Sequence, residues 1–214
     1  MKMLHERARP KSWDEVVGQD AAVTACRRLA REGLGGRAVW ISGKSGQGKD
    51  TIARLLAAEV ADPFYVETID AQELTPARVA ALEDGFAYYS FGRGGRAVIV
   101  SEAHGLRRDG MKALLVALER IPGHVLWVFT TTADGQDMLF EDKADAGPLV
   151  GRCVPIRLSQ RPGAKECAAW LKGVAEREHL DGQPVEKYVR LLNECGGSLR
   201  MALSRIEGGE MLTG

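Results

Sequence analysis

Through Ile156 the chain alternates short, unbroken apolar runs with longer stretches whose apolar positions recur at helical spacing. Ala38–Ser42, Phe64–Ile69, Ala97–Val100 and Val125–Phe129 are four such runs, and Val154–Ile156 is a short fifth. A strand with one wet face alternates apolar and polar residues, whereas an unbroken run is covered on both faces. The stretches between the runs predict helices, among them one from about Thr51 to Glu59. Another covers Met111 to Glu119, with Leu114, Leu115 and Leu118 on one face. Strands separated by helices in this way predict an α/β fold: a parallel sheet with helices on both sides in three layers. Trp40, Trp127 and Phe129 fall inside the apolar runs and read as core packing, not as a platform for stacking bases.

The pattern changes at Ser159–Gly163. Only helical periods follow, the first from Ala164 to His179. A second carries Val185, Tyr188, Val189 and Leu192 at i, i+3, i+4 and i+7. A third begins after Gly196-Gly197, where Ser198 is placed to cap it. The expected organisation is a core over residues 1–160 and a small all-α domain over residues 161–214.

Composition narrows the classes. In 214 residues, 45% are hydrophobic and 27% charged, which suits a folded domain and excludes a disordered tail or a coiled-coil rod. Lys plus Arg and Asp plus Glu both number 29, so no global field attracts nucleic acid and any such contact needs a local patch. No apolar run approaches the roughly 20 residues that span a bilayer, and the charged N-terminus lacks the apolar centre of a secretory signal. The four cysteines, Cys26, Cys153, Cys167 and Cys195, are far apart without a CxxC pair. They predict buried, reduced thiols in a cytoplasmic protein, with no zinc.

Gly43-Lys44-Ser45-Gly46-Gln47-Gly48-Lys49 satisfies GxxxxGK, and it lies between a predicted strand and a predicted helix, the context this motif requires. Glycines let the backbone wrap a phosphate, amides face it, and Lys49 adds a point charge. The next position departs from the rule: Asp50 stands where a Ser or Thr hydroxyl normally ligates Mg²⁺. Thr51 is one residue late, about 100° round the helix. A second departure follows the third strand, in Val98-Ile99-Val100-Ser101-Glu102. The apolar strand delivers Glu102, which can polarise water, but Ser101 replaces the usual aspartate of this metal-binding segment. Two explanations remain open. Asp50 and Ser101 have exchanged roles as Mg²⁺ ligands, which keeps one carboxylate and one hydroxyl, or the metal site has degenerated.

With these motifs in order, the chain resembles the AAA+ ATPases, and within them the clamp-loader subunits of the bacterial DNA polymerase III gamma/tau type. Arg9-Pro10-Lys11-Ser12-Trp13 through Val16-Val17-Gly18-Gln19 resembles the family's N-terminal segment, which lies against adenine. Gly48–Ala57 follows the gamma-type run apart from Asp50. Glu102-Ala103-His104-Gly105-Leu106 through Leu118-Glu119, Pro122 and His124 is similar throughout. Thr132 falls on the polar sensor 1 residue. Gly151-Arg152-Cys153 resembles the Ser-Arg-Cys motif, whose arginine reaches a neighbouring subunit's ATP. Gly197–Leu203 resembles the sensor 2 helix, which places Arg200 at the γ-phosphate. Arginine suits both roles, having a permanent charge and a planar fork for phosphate oxygens.

The resemblance implies a nucleotide site for ATP or ADP with Mg²⁺. Arg9, Val17, Gly18, Gly43, Ser45, Gly46, Gln47, Gly48, Lys49, Asp50, Thr51 and Arg200 bind nucleotide. Glu102, Lys49, Thr132, Arg200 and a neighbour's Arg152 serve hydrolysis, and Asp50 and Ser101 hold the metal. It also implies other AAA+ subunits as partners, together with a sliding clamp and primed DNA. Arg107 and Arg108 are the candidate DNA contacts, with Arg93, Arg96 and Lys112 near them in sequence. The segment Gly135–Val150 is longer than the family's. Nothing after Gly214 corresponds to the family's collar domain, so the expectation is either a fragment or a member that assembles differently. The two functional readings are a clamp-loader-like ATPase module and a nucleotide-binding switch or structural subunit that hydrolyses weakly or not at all. A P-loop phosphotransferase would leave Arg152, Arg200 and the helical domain unexplained.

Overall fold

The structure is a computed structural model, and it describes residues 2–88, 94–132, 146–159 and 163–212. Five strands form one parallel sheet: β1 (Arg37–Ser42), β2 (Val66–Asp70), β3 (Arg96–Ser101), β4 (Val125–Thr131) and β5 (Val154–Arg157). Their spatial order is β2-β3-β4-β1-β5. Helix α2 (Asp20–Glu32) precedes β1. Successive strands parallel to one another require crossovers, and here helices supply them: α3 (Lys49–Val60), α4 (Pro76–Phe86), α5 (Arg108–Leu118) and α6 (Ala146–Gly151).

Side chains alternate between the two faces with the period of the pleat. Val39, Ile41, Ala97, Ile99, Leu126 and Val128 face the layer containing α2 and α3. Ala38, Trp40, Val98, Val100, Trp127 and Phe129 face that of α4 and α5. Both faces are thus apolar, which is why the runs are unbroken. The aromatic stripe is core packing as expected: Phe129 stacks on Trp40 and Trp127 with centroids 5.9 and 6.0 Å away. Pro155 is tolerated because β5 lies at the sheet edge, where a missing N–H breaks no ladder.

The strand expected over Phe64–Ile69 begins later. Pro63–Tyr65 is a 3-10 turn that starts on a proline, and Phe64 is 90% exposed. Pro63 favours the first position of a helical turn, and this outweighs the β preference of the two aromatic residues.

The helical domain is α7 (Ala164–Arg177), α8 (Val185–Glu194) and α9 (Leu199–Glu207) around its own core of Leu171, Tyr188, Leu192 and Ile206. Ser198 caps α9 as predicted, its hydroxyl accepting from the Met201 amide at 3.3 Å. This core also contains Leu4, from α1 (Leu4–Arg7), a residue that the division at 160/161 assigns to the other domain. The Leu4 amide donates to Glu207 at 2.9 Å and Arg7 pairs with Glu178 at 2.9 Å, so the first helix packs on the helical domain. The division point itself lies outside the described residues, as do Arg93 and residues 135–145 of the long segment.

Candidate nucleotide site

The phosphate loop connects β1 to α3 at the C-terminal edge of the sheet, where ligands bind in open α/β folds. Gly46 and Gly48 have φ of 77° and 95°, left-handed values that glycine adopts without a Cβ clash. The Gln47 side chain accepts from the Lys44 amide at 3.1 Å and braces the turn from inside. Lys49, on the first residue of α3, is buried. Its ammonium donates to the carbonyls of Gly43 at 3.0 Å and Lys44 at 3.1 Å. Burial pushes its pKa down; the charge of Glu102 opposes this, that of Arg200 adds to it, and that of Asp50 opposes it. An ammonium held partly desolvated between like and unlike charges gains when an anion arrives.

One cavity gathers residues from five segments, one of them Thr130 of β4. The loop contributes Ser45, Gly46, Gln47, Gly48, Lys49, Asp50 and Thr51, and the end of β3 contributes Ser101 and Glu102. The N-terminal segment contributes Arg9 and Val17, with His5, Pro10 and Val16 beside them. The helical domain closes the cavity with Arg200, Leu203 and Trp170. The closure is tight, because a Cβ built on Gly46 would overlap the Ser198 hydroxyl and stand 3.3 Å from Arg200 Cβ. Gly18 and Gly43 lie behind the lining. Gly18 is a buried left-handed glycine, and Gly43 hydrogen-bonds its amide to the Thr131 carbonyl at 3.3 Å. Gln19 ties the N-terminal segment to the far end of the core, accepting from the Ser159 amide at 2.7 Å.

The departures at 50 and 101 take different surroundings. Asp50 sits in the first turn of α3, where the helix dipole favours a carboxylate. It pairs with Arg9 at 3.4 Å and with Arg54 at 3.8 Å. Asp50 and Ser101 line the same cavity. A carboxylate, hydroxyls and substrate phosphates are the hard oxygen donors Mg²⁺ takes, so the residues suit the ion in kind. A metal at Asp50 would compete with Arg9 for that carboxylate.

Glu102 has φ 52° and ψ 51°, unusual for a residue with a Cβ. His104 Nδ1 lies 3.3 Å from its carboxylate and 3.5 Å from the Thr131 hydroxyl. Thr131, the last residue of β4, is therefore the polar group that reaches the β3 end, and Thr132 is one residue beyond the strand. Thr132 and Arg152 do not line the cavity. Arg152 instead donates to Glu119 at 2.6 Å and to the Pro148 carbonyl at 2.9 Å.

The basic patch expected near Arg107 and Arg108 is divided. Those two residues are exposed at the start of α5, beyond the C-terminal end of β3. Arg96 opens β3, about 17 Å away along the strand, and lies over the Tyr65 ring at 5.3 Å. Proximity in sequence placed them together, but the strand between separates them. Sequence reasoning gave no individual role to His104, Thr131 or Gln19, which it met only inside longer motifs, and none to Trp170. Trp170 carried a readable signal: a large aromatic on α7 beside the buried stripe of Cys167, Ala168 and Leu171.

A five-stranded parallel sheet in this order, a phosphate loop after β1, and a helical lid over that loop define an AAA+ P-loop fold. Solved structures agree. The Thermotoga maritima RuvB Holliday junction branch migration motor is similar over 94% of this chain and 64% of its own, with TM-score 0.71 and 21% identity. A single-substitution variant of the same RuvB gives TM-score 0.73 at 21% identity over the same shares. No protein-family model matches the chain.

In sequence the chain resembles clamp-loader-type AAA+ ATPases. It is 27% identical over 227 residues to the DNA polymerase III subunit tau of Salmonella typhimurium, covering 95% of this chain and 34% of that protein. It is 26% identical over 233 residues to the DNA polymerase III subunit gamma of Buchnera aphidicola, covering 96% and 61%. A shorter match, 30% over 154 residues, is to the DNA polymerase III subunit gamma/tau of Mycobacterium bovis, covering 60% and 27%. The chain thus spans about a third of the tau subunit's length. Among the described residues no helix is long and apolar enough to cross a membrane.

Proposed function

We propose that this chain is the nucleotide-binding module of a clamp-loader-like AAA+ assembly in the cytoplasm, and that it couples ATP binding and hydrolysis to the position of its helical lid. One observation carries the reading: the lid's Ser198 and Arg200 press on Gly46 of the same loop that holds Lys49, so a phosphate there touches both domains. In this reading the loop amides and Lys49 bind the β- and γ-phosphates, and Arg200 reports their presence to the lid. Val17, Pro10 and Trp170 enclose the base, and Glu102 orients the attacking water. Mg²⁺, when bound, supplies charge neutralisation at the phosphates, with Asp50 and Ser101 as its protein ligands. Arg152 lies outside its own cavity, which suits a role in another subunit's site. Such a finger can contribute on the order of 10³–10⁵ in rate. Other AAA+ subunits, a sliding clamp and primed DNA are the partners this reading proposes, with Arg107 and Arg108 facing the DNA.

The test is ATP affinity and turnover with and without Mg²⁺ and primed DNA, in the wild type and in Lys49→Ala. Turnover that needs Mg²⁺, rises with subunit concentration and vanishes in the variant supports the motor. No ATP binding in the wild type overturns it.

A second reading, a nucleotide-holding subunit without hydrolysis, is favoured by the pairing of Asp50 with Arg9 and Arg54. The substitutions Asp50→Thr and Ser101→Asp, singly and together, separate the two. If the metal ligands are exchanged, each single change lowers Mg²⁺-dependent turnover and the pair restores it. If the double variant gains turnover over an inactive wild type, the second reading holds.

A further inference from the structure

Glu102 occupies a left-handed backbone conformation, with φ 52° and ψ 51°. Residues with a Cβ keep such a conformation only where the surroundings over-determine it, and it recurs where a side chain must be aimed. Here the determinants are visible. The next three residues form a 3-10 turn whose closing amide, that of Gly105, donates to the Glu102 carbonyl at 2.7 Å. Ala103 is fully buried in the core beneath the turn. The turn therefore returns His104 over the carboxylate that precedes it, with Nδ1 3.3 Å from Glu102 Oε2.

The same nitrogen lies 3.5 Å from the hydroxyl of Thr131, which is fully buried. That hydroxyl donates to the Thr132 carbonyl at 3.2 Å, so its lone pairs face the ring. A carboxylate and a hydroxyl that has already committed its proton both call for a donor, which assigns the proton to Nδ1. Thr131 is in turn tied to the phosphate loop, because its carbonyl accepts from the Gly43 amide at 3.3 Å. A chain of polar contacts thus runs from the first residue of the loop through Thr131 and His104 to one oxygen of Glu102.

We propose that His104 is a positioning residue. Its Nδ1–H, steadied by Thr131, fixes Oε2 of Glu102 so that Oε1 is presented to water at the cavity. This rests on the reading of Glu102 as the residue that orients the attacking water. His104 does not line the cavity, so its loss alters the aim of Glu102 and not the binding of nucleotide. A carboxylate free to rotate presents its oxygen to the water only part of the time, and misplacement of this kind lowers rate without lowering affinity.

The experiment measures kcat and KM for ATP in the wild type, His104→Ala, His104→Asn, Thr131→Val and Lys49→Ala. Asparagine places its amide N–H₂ near the position of Nδ1 and keeps the donor. The expected result is a kcat lower by on the order of ten- to a hundredfold in His104→Ala with KM unchanged. His104→Asn recovers most of that rate, and Thr131→Val falls between. Wild-type kcat in His104→Ala overturns the proposal. So does an equal loss in the Ala and Asn variants, or a rise in KM that matches the fall in kcat, since either marks a structural role. If Lys49→Ala turns over like the wild type, or the wild type does not turn over, the hydrolytic reading itself fails and this proposal fails with it. Intact Lys49 dependence with no effect at His104 defeats the proposal alone.

Discussion

Replacing Gly46 with alanine tests whether the lid rests on the phosphate loop. Gly46 has φ 77°, a region that costs an L-residue roughly 1–2 kcal/mol. The added Cβ would also overlap the Ser198 hydroxyl and lie 3.3 Å from Arg200 Cβ. Ser198 cannot turn aside without loss, because the same hydroxyl caps α9 through the Met201 amide. A cap of this kind contributes about 1 kcal/mol. Gly46→Ala therefore carries backbone strain plus either a lost cap or a lid pushed back by on the order of 1 Å. Gly48 is the matched control. Its φ of 95° imposes the same kind of strain, yet nothing lies within 4 Å of a Cβ added there. In a chain of this length about 1 kcal/mol corresponds to ~2–4 °C in Tm. Gly48→Ala should lose about that much, and Gly46→Ala about twice as much. The assay is a thermal melt in nucleotide-free buffer, paired with hydrogen exchange at the Met201 amide. Exchange there should quicken in Gly46→Ala and stay unchanged in Gly48→Ala. Equal Tm losses with Met201 equally protected in both would refute the lid contact.

Within the lid, the Asp181 carboxyl is held below the usual carboxylate range, first by the Lys172 ammonium at 2.6 Å and then by the Tyr188 hydroxyl at 2.6 Å. A depressed folded pKa gives stability that is complete above the unfolded value near ~4 and is lost as pH falls through the folded value. Trp170 fluorescence followed from pH 6 downward should therefore report lid loosening only in strong acid; Asp181→Asn should weaken the lid at neutral pH and flatten that acid transition. Burial pushes the thiols of Cys26 and Cys153 up to about 12 and that of Cys167 up to about 11. These three should resist alkylation at pH 8 in the folded protein and react once it is denatured, which peptide mass mapping checks; rapid native labelling of any of them would refute the burial argument.

The core was legible because its signal is local. A strand covered on both faces is an unbroken apolar run wherever it lies in the chain, and β1, β3 and β4 match their runs to within two residues. The cap at Ser198 was legible for the same reason. What sequence hid depends on distance or on competition between local preferences. Leu4 stands in a charged stretch, and its burial becomes apparent only once α9 provides Glu207 for its amide. The start of β2 was misplaced because Phe64 and Tyr65 favour strand while Pro63 favours a turn. Helix α4 carried a readable start, Thr75 capping the Arg78 amide with Pro76 at the first position, but its weak amphipathic pattern drew no notice. At the site, a motif gives a position and not a direction. It delivered Glu102, Lys49 and Arg200 to one cavity, yet it could not show that Thr131 points to His104 and Arg152 to Glu119. Nor could it show that a six-residue strand parts Arg96 from Arg107.

Asp50 illustrates how the departures fit the rest of the molecule. Taken alone, a carboxylate beside the phosphates is a repulsive charge in the least suitable place. In the fold it faces Arg9 and Arg54, so its charge is balanced within the first turn of α3. Arg9 follows α1, and α1 is embedded in the lid through Leu4 and Arg7. The lid therefore meets the nucleotide loop by two routes, Ser198 against Gly46 on one side and α1 through Arg9 to Asp50 on the other. Partly exposed pairs such as Arg9 with Asp50 contribute at most about 1 kcal/mol, too little to determine the fold but enough to bias a hinge by severalfold. A hydroxyl at position 50 would leave Arg9 without this partner and would cut the second route. On this argument the carboxylate is matched to the guanidinium that faces it, and residues 9 and 50 are best varied together.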